Sequence, residues 1–493
     1  MRGATRSAQR GAVVALVVCA LGCAEAVPPA SVAPAPVAPG PRAMHYVFAI
    51  SDDLEHVDAT VCFEGQAPVL LAPGVDWGRE ALVEARTADP AGQAGQTGAQ
   101  PLALDAMGIR LDGVGRDACV RYLLDLTRIA NQGFELGMQR AQGSIVTNTA
   151  LWLWRPPAYD RCAQVTVGFT GPAAGEVAVP WHREGDAYHL ESRAFAFSAH
   201  AVFGRFARES VDAAGAHFDM IVLDGLSAQT REAIVPWIES AARAAALPNG
   251  RFPVTHAQIV VIPAQASGRP VTFGHATRGG ERSIAFVVGI HATREALLAD
   301  WVAVHEFSHL WWPLLRREDI WLSEGLATYY QEVLRARAGH IPATQAWSRL
   351  WLGAEKGRDT TASLAHESAH VFETFNFSRV YWGGAAIALL ADIEIRRRSR
   401  GERSLDDAML ALSACCARSG QAWSARELIE RMDAAIGAPV FAEIVARFAE
   451  QPRFPTLDAA FEGLGLLPRG ETVELRRDAP DAWIRDAIMA PAK

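Results

Sequence analysis

The chain has little cysteine, no excess of basic over acidic residues and, beyond its first two dozen residues, no apolar run long enough to cross a bilayer. Seven cysteines in 493 residues are too few for a disulfide scaffold. The formal net charge is −8, and without the three arginines of residues 1–22 it becomes −11, which argues against nucleic acid as a partner. No internal repeat marks a solenoid. Half of the residues are hydrophobic, and the length suits about three domains, so a folded globular protein is expected.

What is present begins with a leader. Arg2, Arg6 and Arg10 precede an apolar run from Gly11 to Leu21, the layout of a secretory signal peptide over residues 1–22. Ala20-Leu21-Gly22-Cys23 resembles a bacterial lipobox, in which Cys23 is lipidated and becomes the mature N-terminus. A plain signal-peptidase cut near Ala24 to Ala26 is the alternative. The expectation is export, either as a cell-envelope lipoprotein tethered to the membrane through Cys23 or as a free periplasmic or secreted protein. Residues 23–43, rich in Ala, Pro and Val, read as an extended linker. Cys62 and Cys119 could pair in an oxidising compartment. Adjacent Cys415 and Cys416 read as helix-packing residues.

The chemistry is concentrated in two segments. His305-Glu306-Phe307-Ser308-His309 puts two imidazoles at i and i+4, on one helix face, where both can reach one Zn²⁺. Glu306, rotated by about 100° from His305, can serve as general base without being a ligand. Zinc needs a third protein ligand, and Glu324 in Trp321-Leu322-Ser323-Glu324-Gly325 is the candidate, on a helix reached after the chain reverses through Pro313 to Asp319. Thr328, one turn later, is either a group that orients a ligand or ordinary helix surface. A second HExxH, His366-Glu367-Ser368-Ala369-His370, has polar flanks and no following acidic segment of this type; it reads as a solvated helix end or loop.

A metzincin would have a third histidine six residues beyond His309, where this chain has Leu315. A carboxylate from a downstream helix is the gluzincin arrangement. HEFSH, then WLSEGLATYY, then Val380-Tyr381-Trp382-Gly383-Gly384-Ala385 resembles, in order and rough spacing, the glycyl aminopeptidase and aminopeptidase N families. The resemblance covers about residues 45–470, with strong motifs from 280 to 386. It implies one Zn²⁺ per chain on His305, His309 and Glu324, with Glu306 as base toward a zinc-activated water and Tyr381 stabilising the oxyanion. Peptides or proteins would be the substrates and aminopeptidase activity the function. A thermolysin-like endopeptidase shares these zinc-site residues, and a secreted binding protein that keeps the fold without cleavage is the rival from another class.

Two departures accompany the resemblance. Fourteen residues separate His309 from Glu324, fewer than in the aminopeptidase N pattern. The Gly-x-x-Glu-x signature is matched by Arg278-Gly279-Gly280-Glu281-Arg282 one residue short of the usual spacing. That match makes Glu281 the candidate for binding the substrate amine.

The fold expected is multidomain α+β, divided as an N-terminal β-sandwich-like domain over 44–200, a thermolysin-like α/β catalytic domain over 201–395 and a C-terminal helical region over 396–493. Strands are predicted at Val57 to Phe63, Val120 to Leu126, Ala150 to Trp154, Ala163 to Phe169, Phe218 to Leu223, Gln258 to Ile262 and Ser283 to Gly289. A helix is predicted up to Asn249-Gly250, a zinc helix starting around Arg294 to Ala299, and helices at Ala385 to Ile395, Leu405 to Leu412, Ala425 to Ile436 and Pro439 to Phe448. The Gly-, Ala- and Gln-rich stretch from Ala88 to Pro101 reads as a surface loop.

Overall fold

The computed structural model describes residues 40–88, 99–130, 138–141, 143–160, 162–171, 177–191, 195–265, 268–358 and 362–491. The leader, Cys23, the linker as far as residue 39, and residues 89–98 of the Gly-rich stretch lie outside them. The described residues fall into two compact units. The first comprises those of Met1–Ile129, Ala150–Ala174 and His182–Phe195; the second comprises those of Ala130–Thr149, Gly175–Trp181 and Ala196–Lys493.

The first unit is built on a seven-stranded sheet. Its strands are β1 (Ala43–Ile50), β2 (His56–Glu64), β3 (Leu82–Ala88), β4 (Cys119–Asp125), β5 (Gln164–Thr170), β6 (His182–Glu184) and β7 (Ala187–Leu190). They lie in the order β6-β7-β5-β1-β2-β4-β3, with β1 and β5 the parallel pair. Alternation in β2, half of it buried, is the pattern of a sheet with one covered face. Cys62 and Cys119 stand opposite each other on β2 and β4 and form a disulfide, Cα to Cα 4.0 Å.

One strand expectation fails here. Ala150 to Trp154 is not a strand; Thr149–Trp152 forms a helical turn. A short, fully apolar run has no period that separates strand from helix. The carbonyls of Trp152 and Trp154 accept hydrogen bonds from Tyr122 (3.0 Å) and Tyr46 (2.9 Å), in place of a neighbouring strand.

The second unit carries a five-stranded sheet: β8 (Phe206–Ala213), β9 (Ala216–Leu223), β10 (His256–Ala264), β11 (Val271–Ala276) and β12 (Ser283–Gly289), in the order β8-β9-β10-β12-β11. The β9, β10 and β12 strands are parallel, and their apolar, β-branched runs are buried on both faces, as parallel strands require. The β11 strand is antiparallel to β12 and stands at the edge. A further four-stranded sheet joins Met138–Ala141, Ser144–Asn148, Val177–Ala178 and His200–Gly204.

Helices pack on the five-stranded sheet and on one another. They are α1 (Ala228–Ala245), α2 (Arg294–Ala299), α3 (Val302–Ser308), α4 (Ile320–Arg337), α5 (Ala343–Gly357), α6 (Leu364–Ala369) and α7 (Phe377–Ser399). The predicted zinc helix is two helices. Asp300 breaks it, and its carboxylate accepts the Val302 N–H at 2.7 Å, starting α3 afresh. The C-terminal region is helical over Leu405–Cys415, Ala425–Ile436 and Val440–Phe448, and adds a hairpin, Leu466–Arg469 with Thr472–Leu475, that periodicity did not signal. Cys415 and Cys416 are joined to each other by a disulfide, Cys416 buried and Cys415 exposed.

Almost every residue of α4 is buried, so it is the central helix of the unit. It crosses α7 through glycines. A Cβ on Gly325 would overlap the Gly384 backbone, and a Cβ on Gly384 would lie 2.7 Å from the Gly325 Cα. The Gly384→Val variant is therefore expected to lose at least about 2 kcal/mol of stability through overpacking, measured by denaturant unfolding. An unchanged midpoint would contradict this crossing.

Candidate metal centre and active site

His305 lies in α3, and His309 begins the single 3₁₀ turn, His309–Trp311, that continues it. Glu324 comes from the second turn of α4. The three side chains are buried, and their ligand atoms lie within 4.8 Å of one another. One Glu324 carboxylate oxygen is 3.2 Å from His305 Nε2 and 3.4 Å from His309 Nε2. Both Nε2 atoms therefore face one point.

The opposite nitrogens are held by α4. His305 Nδ1 is 2.8 Å from Gln331 Oε1, two turns beyond Glu324, so Nδ1–H donates and Nε2 keeps its lone pair for a metal. His309 Nδ1 is 3.2 Å from Ser323 Oγ. That hydroxyl accepts from Trp312 Nε1 (3.0 Å) and Arg278 Nη1 (2.7 Å), so both of its lone pairs are used and its own O–H faces His309 Nδ1. Thr328 is buried, but its hydroxyl has no partner among the described residues; Gln331 is the residue that orients His305. Its only signal in the sequence is its i+7 spacing from Glu324.

Glu306 points at the edge strand. A Cβ on Gly274 of β11 would sit 2.6 Å from Glu306 Cγ, so only glycine admits this carboxylate. Burial, reinforced by Glu324 and opposed by His305, Arg278 and the Ala276 N–H, pushes the Glu306 carboxyl up to about 7. Burial also pushes Glu324 up, but the two histidines outweigh it and hold this carboxyl well below the usual range. The Tyr381 ring, at the start of α7, stacks on His305 with centroids 6.0 Å apart. Burial and the two carboxylates raise its phenol well above 10, so it keeps its proton and is a hydrogen-bond donor.

Two imidazole nitrogens and one carboxylate oxygen, with the outer nitrogen of His305 fixed by the Gln331 carbonyl, form a donor set suited to zinc rather than to magnesium or calcium. The structure thus brings together His305, Glu306, His309, Glu324 and Tyr381. Glu281, half-buried in the turn between β11 and β12, shares no hydrogen bond or ion pair with them. The second HExxH lies on α6 and its C-terminal cap, where His366 is exposed and the two rings stack 4.4 Å apart. Ser363 caps this helix, and the Ser368 hydroxyl accepts the Trp321 N–H at 3.1 Å, at the start of α4. Among the described residues the single three-donor group is His305, His309 and Glu324.

No protein-family model and no curated protein matches the sequence. Solved structures do match. An aminopeptidase N family protein from Idiomarina loihiensis superposes with a TM-score of 0.66 at 14% identity, over 86% of this chain and 78% of that one. The chain has the aminopeptidase N fold. An M1 zinc metallopeptidase variant from Deinococcus radiodurans, bound to a Tyr-Ser-Ala substrate, superposes with a TM-score of 0.51 at 16% identity, over 84% of this chain and 94% of that one. A two-domain M1 zinc metallopeptidase bound to L-tryptophan gives a TM-score of 0.51 at 15% identity, over 85% and 96%. The gluzincin relationship expected from the motifs is thereby supported at the level of the fold.

Two measurements check this geometry. Gln331→Leu is expected to weaken zinc binding by about 10-fold or more, while His366→Ala and His370→Ala leave it unchanged, read by metal competition. In the metal-free chain, Glu306 has a folded pKa of about 7, above its unfolded value, so its contribution to stability is intact at low pH and declines as pH rises toward 7. Glu306→Gln should therefore raise the thermal midpoint of the metal-free protein at neutral pH, with the gain vanishing below the ordinary glutamate range.

Proposed function

We propose that the chain is an exported zinc peptidase that removes residues from the N-terminus of peptides. The observation that carries the reading is the convergence of His305, His309 and Glu324 beside Glu306, which lies against an edge strand. A zinc ion held by these three residues supplies Lewis acidity, polarising a carbonyl and lowering the pKa of water. The Glu306 carboxylate takes the proton of the attacking water and passes it to the leaving amine. The Tyr381 phenol donates to the carbonyl oxygen as negative charge builds there, and its raised pKa keeps the donor protonated. Gln331 and Ser323 fix the imidazoles, so the site reorganises little during the reaction.

Peptide as the substrate class is supported by the tripeptide bound to the Deinococcus relative. Glu281 remains the residue proposed for the substrate ammonium, because a charged amine leaving water needs a partner of opposite sign. Export, with Cys23 as a lipid anchor, is supported by the leader pattern and by the Cys62–Cys119 disulfide, a bond that persists in oxidising compartments.

Glu306→Gln is expected to lower kcat by about 10²- to 10⁴-fold with about one zinc per chain retained, whereas Glu324→Ala loses the metal; the reverse pattern would exchange the assigned roles. A peptide with a free amine should be cut faster than its N-acetylated form, and Glu281→Ala should erase that difference. Equal rates for the two peptides with the parent protein would make the enzyme an endopeptidase.

A further inference from the structure

Arg278 is the cation of this site. It stands in the turn of residues 277–282 between β11 and β12, and the turn is fixed at several points. The Thr277 N–H donates to the Ser283 carbonyl at 2.8 Å, and the Ser283 N–H donates back to Thr277 Oγ1 at 3.1 Å. Arg282 is buried and donates to the carbonyls of Gly280 and Ala417. Gly279 has φ +94°, and a Cβ there would meet the Phe197 ring at 2.6 Å. Arg278 is thus delivered to one place by a turn with little freedom.

Its guanidinium is only partly used. Nη1 donates to Ser323 Oγ at 2.7 Å and lies 3.3 Å from His309 Nδ1. Among the described residues the Nε atom is buried without a partner, and no hydrogen bond engages Nη2. Among the described residues no carboxylate forms an ion pair with Arg278, although Glu324, Glu306 and the Tyr381 phenol all act on it electrostatically. Both carboxylates have other duties, Glu324 toward the histidines and Glu306 toward the edge strand. His275, on the neighbouring strand, is held by burial at about 4 and is neutral at pH 7.

A charge count then favours an anion. With a divalent ion in place, Arg278 and the metal bring three positive charges against the two negative charges of Glu306 and Glu324. A cation removed from water without a counter-charge is costly, and a guanidinium with free N–H groups is built to take a carboxylate oxygen pair.

We propose that Arg278 binds a carboxylate of the substrate, so that the preferred peptide carries an acidic group beside the cleaved bond. This rests on the peptidase reading of the site and adds its substrate class. The carboxylate comes from an acidic side chain or from the peptide's C-terminus, and the two sources are separable. The competing account is that Arg278 only orients His309 through Ser323. That role alters metal affinity but cannot distinguish a carboxylate from its amide.

The test is binding to the zinc-loaded full-length chain, followed by calorimetry. L-glutamate is compared with L-glutamine, and Ala-Ala with Ala-Ala amide, in the parent, in Arg278→Gln and in Arg278→Lys, with zinc content measured for each. The parent should favour the carboxylate by about 10-fold or more in at least one pair, as a charge-assisted hydrogen bond provides. Arg278→Gln should bring that ratio to about one, and Arg278→Lys should retain part of it. A preference in the first pair assigns the side chain, and a preference in the second alone assigns the terminal carboxylate. Equal affinities in both pairs, no binding at all, or a preference that survives Arg278→Gln overturns the proposal. If the binding preference behaves as expected while no peptide is hydrolysed, the peptidase reading fails and the role of Arg278 stands.

Discussion

Gly325 and Gly384 meet backbone to backbone, and that contact sets how near α7 comes to α4. Glu324 immediately precedes one glycine, and Tyr381 stands three residues before the other. The crossing therefore fixes where the phenol lies relative to the carboxylate, and both relative to the His305 ring. A methyl group at either position would force the helices apart by more than hydrogen bonds of about 3 Å can absorb. The site is in this sense a property of helix packing first and of its functional groups second.

Electrostatics follow from that packing. Among the described residues Glu324 has no arginine or lysine ion-pair partner; its neighbours within reach are two imidazoles and the Tyr381 phenol. A buried carboxylate in such surroundings is costly unless a cation arrives. The α4 helix carries Ser323 and Glu324 in one turn, Gln331 two turns on, and then the buried Glu332–Arg335 pair at 3.1 Å. Ligand, orienting groups and counter-ions share a single rigid element, so an error in its placement would disturb all of them together.

Much of this was legible in the sequence because local spacing encodes it. The i and i+4 histidines, the intervening glutamate and the WLSEG glutamate could be read as a constellation since each lies within one or two turns of a helix that supplies the register. Ser283–Gly289 and Ala425–Ile436 have the predicted bounds, as period and turn signals agree there. Arg278 carries no signal in the sequence beyond opening a glycine turn. Its place beside His309 depends on the pairing of β11 with β12, a contact between strands whose edge member is short and interrupted by glycine. Gln331 was missed for a related reason: a glutamine on a buried helix has no composition signal, and its meaning comes from the imidazole opposite. The break at Asp300 was hidden because apolar residues continue on both sides of it.

The path of the chain has a practical consequence. Between its first and last described residues it passes from one compact unit to the other five times, at residues 129/130, 149/150, 181/182 and 195/196 and between residues 171 and 177. The strand His200–Gly204 pairs with Ser144–Asn148 and Val177–Ala178, all within the second unit. A fragment beginning near residue 200 would keep every metal ligand yet lose the partners of its own first strand. Proteolysis at one loop could not free either unit intact, so the two are tied by topology into a single heritable and expressible whole.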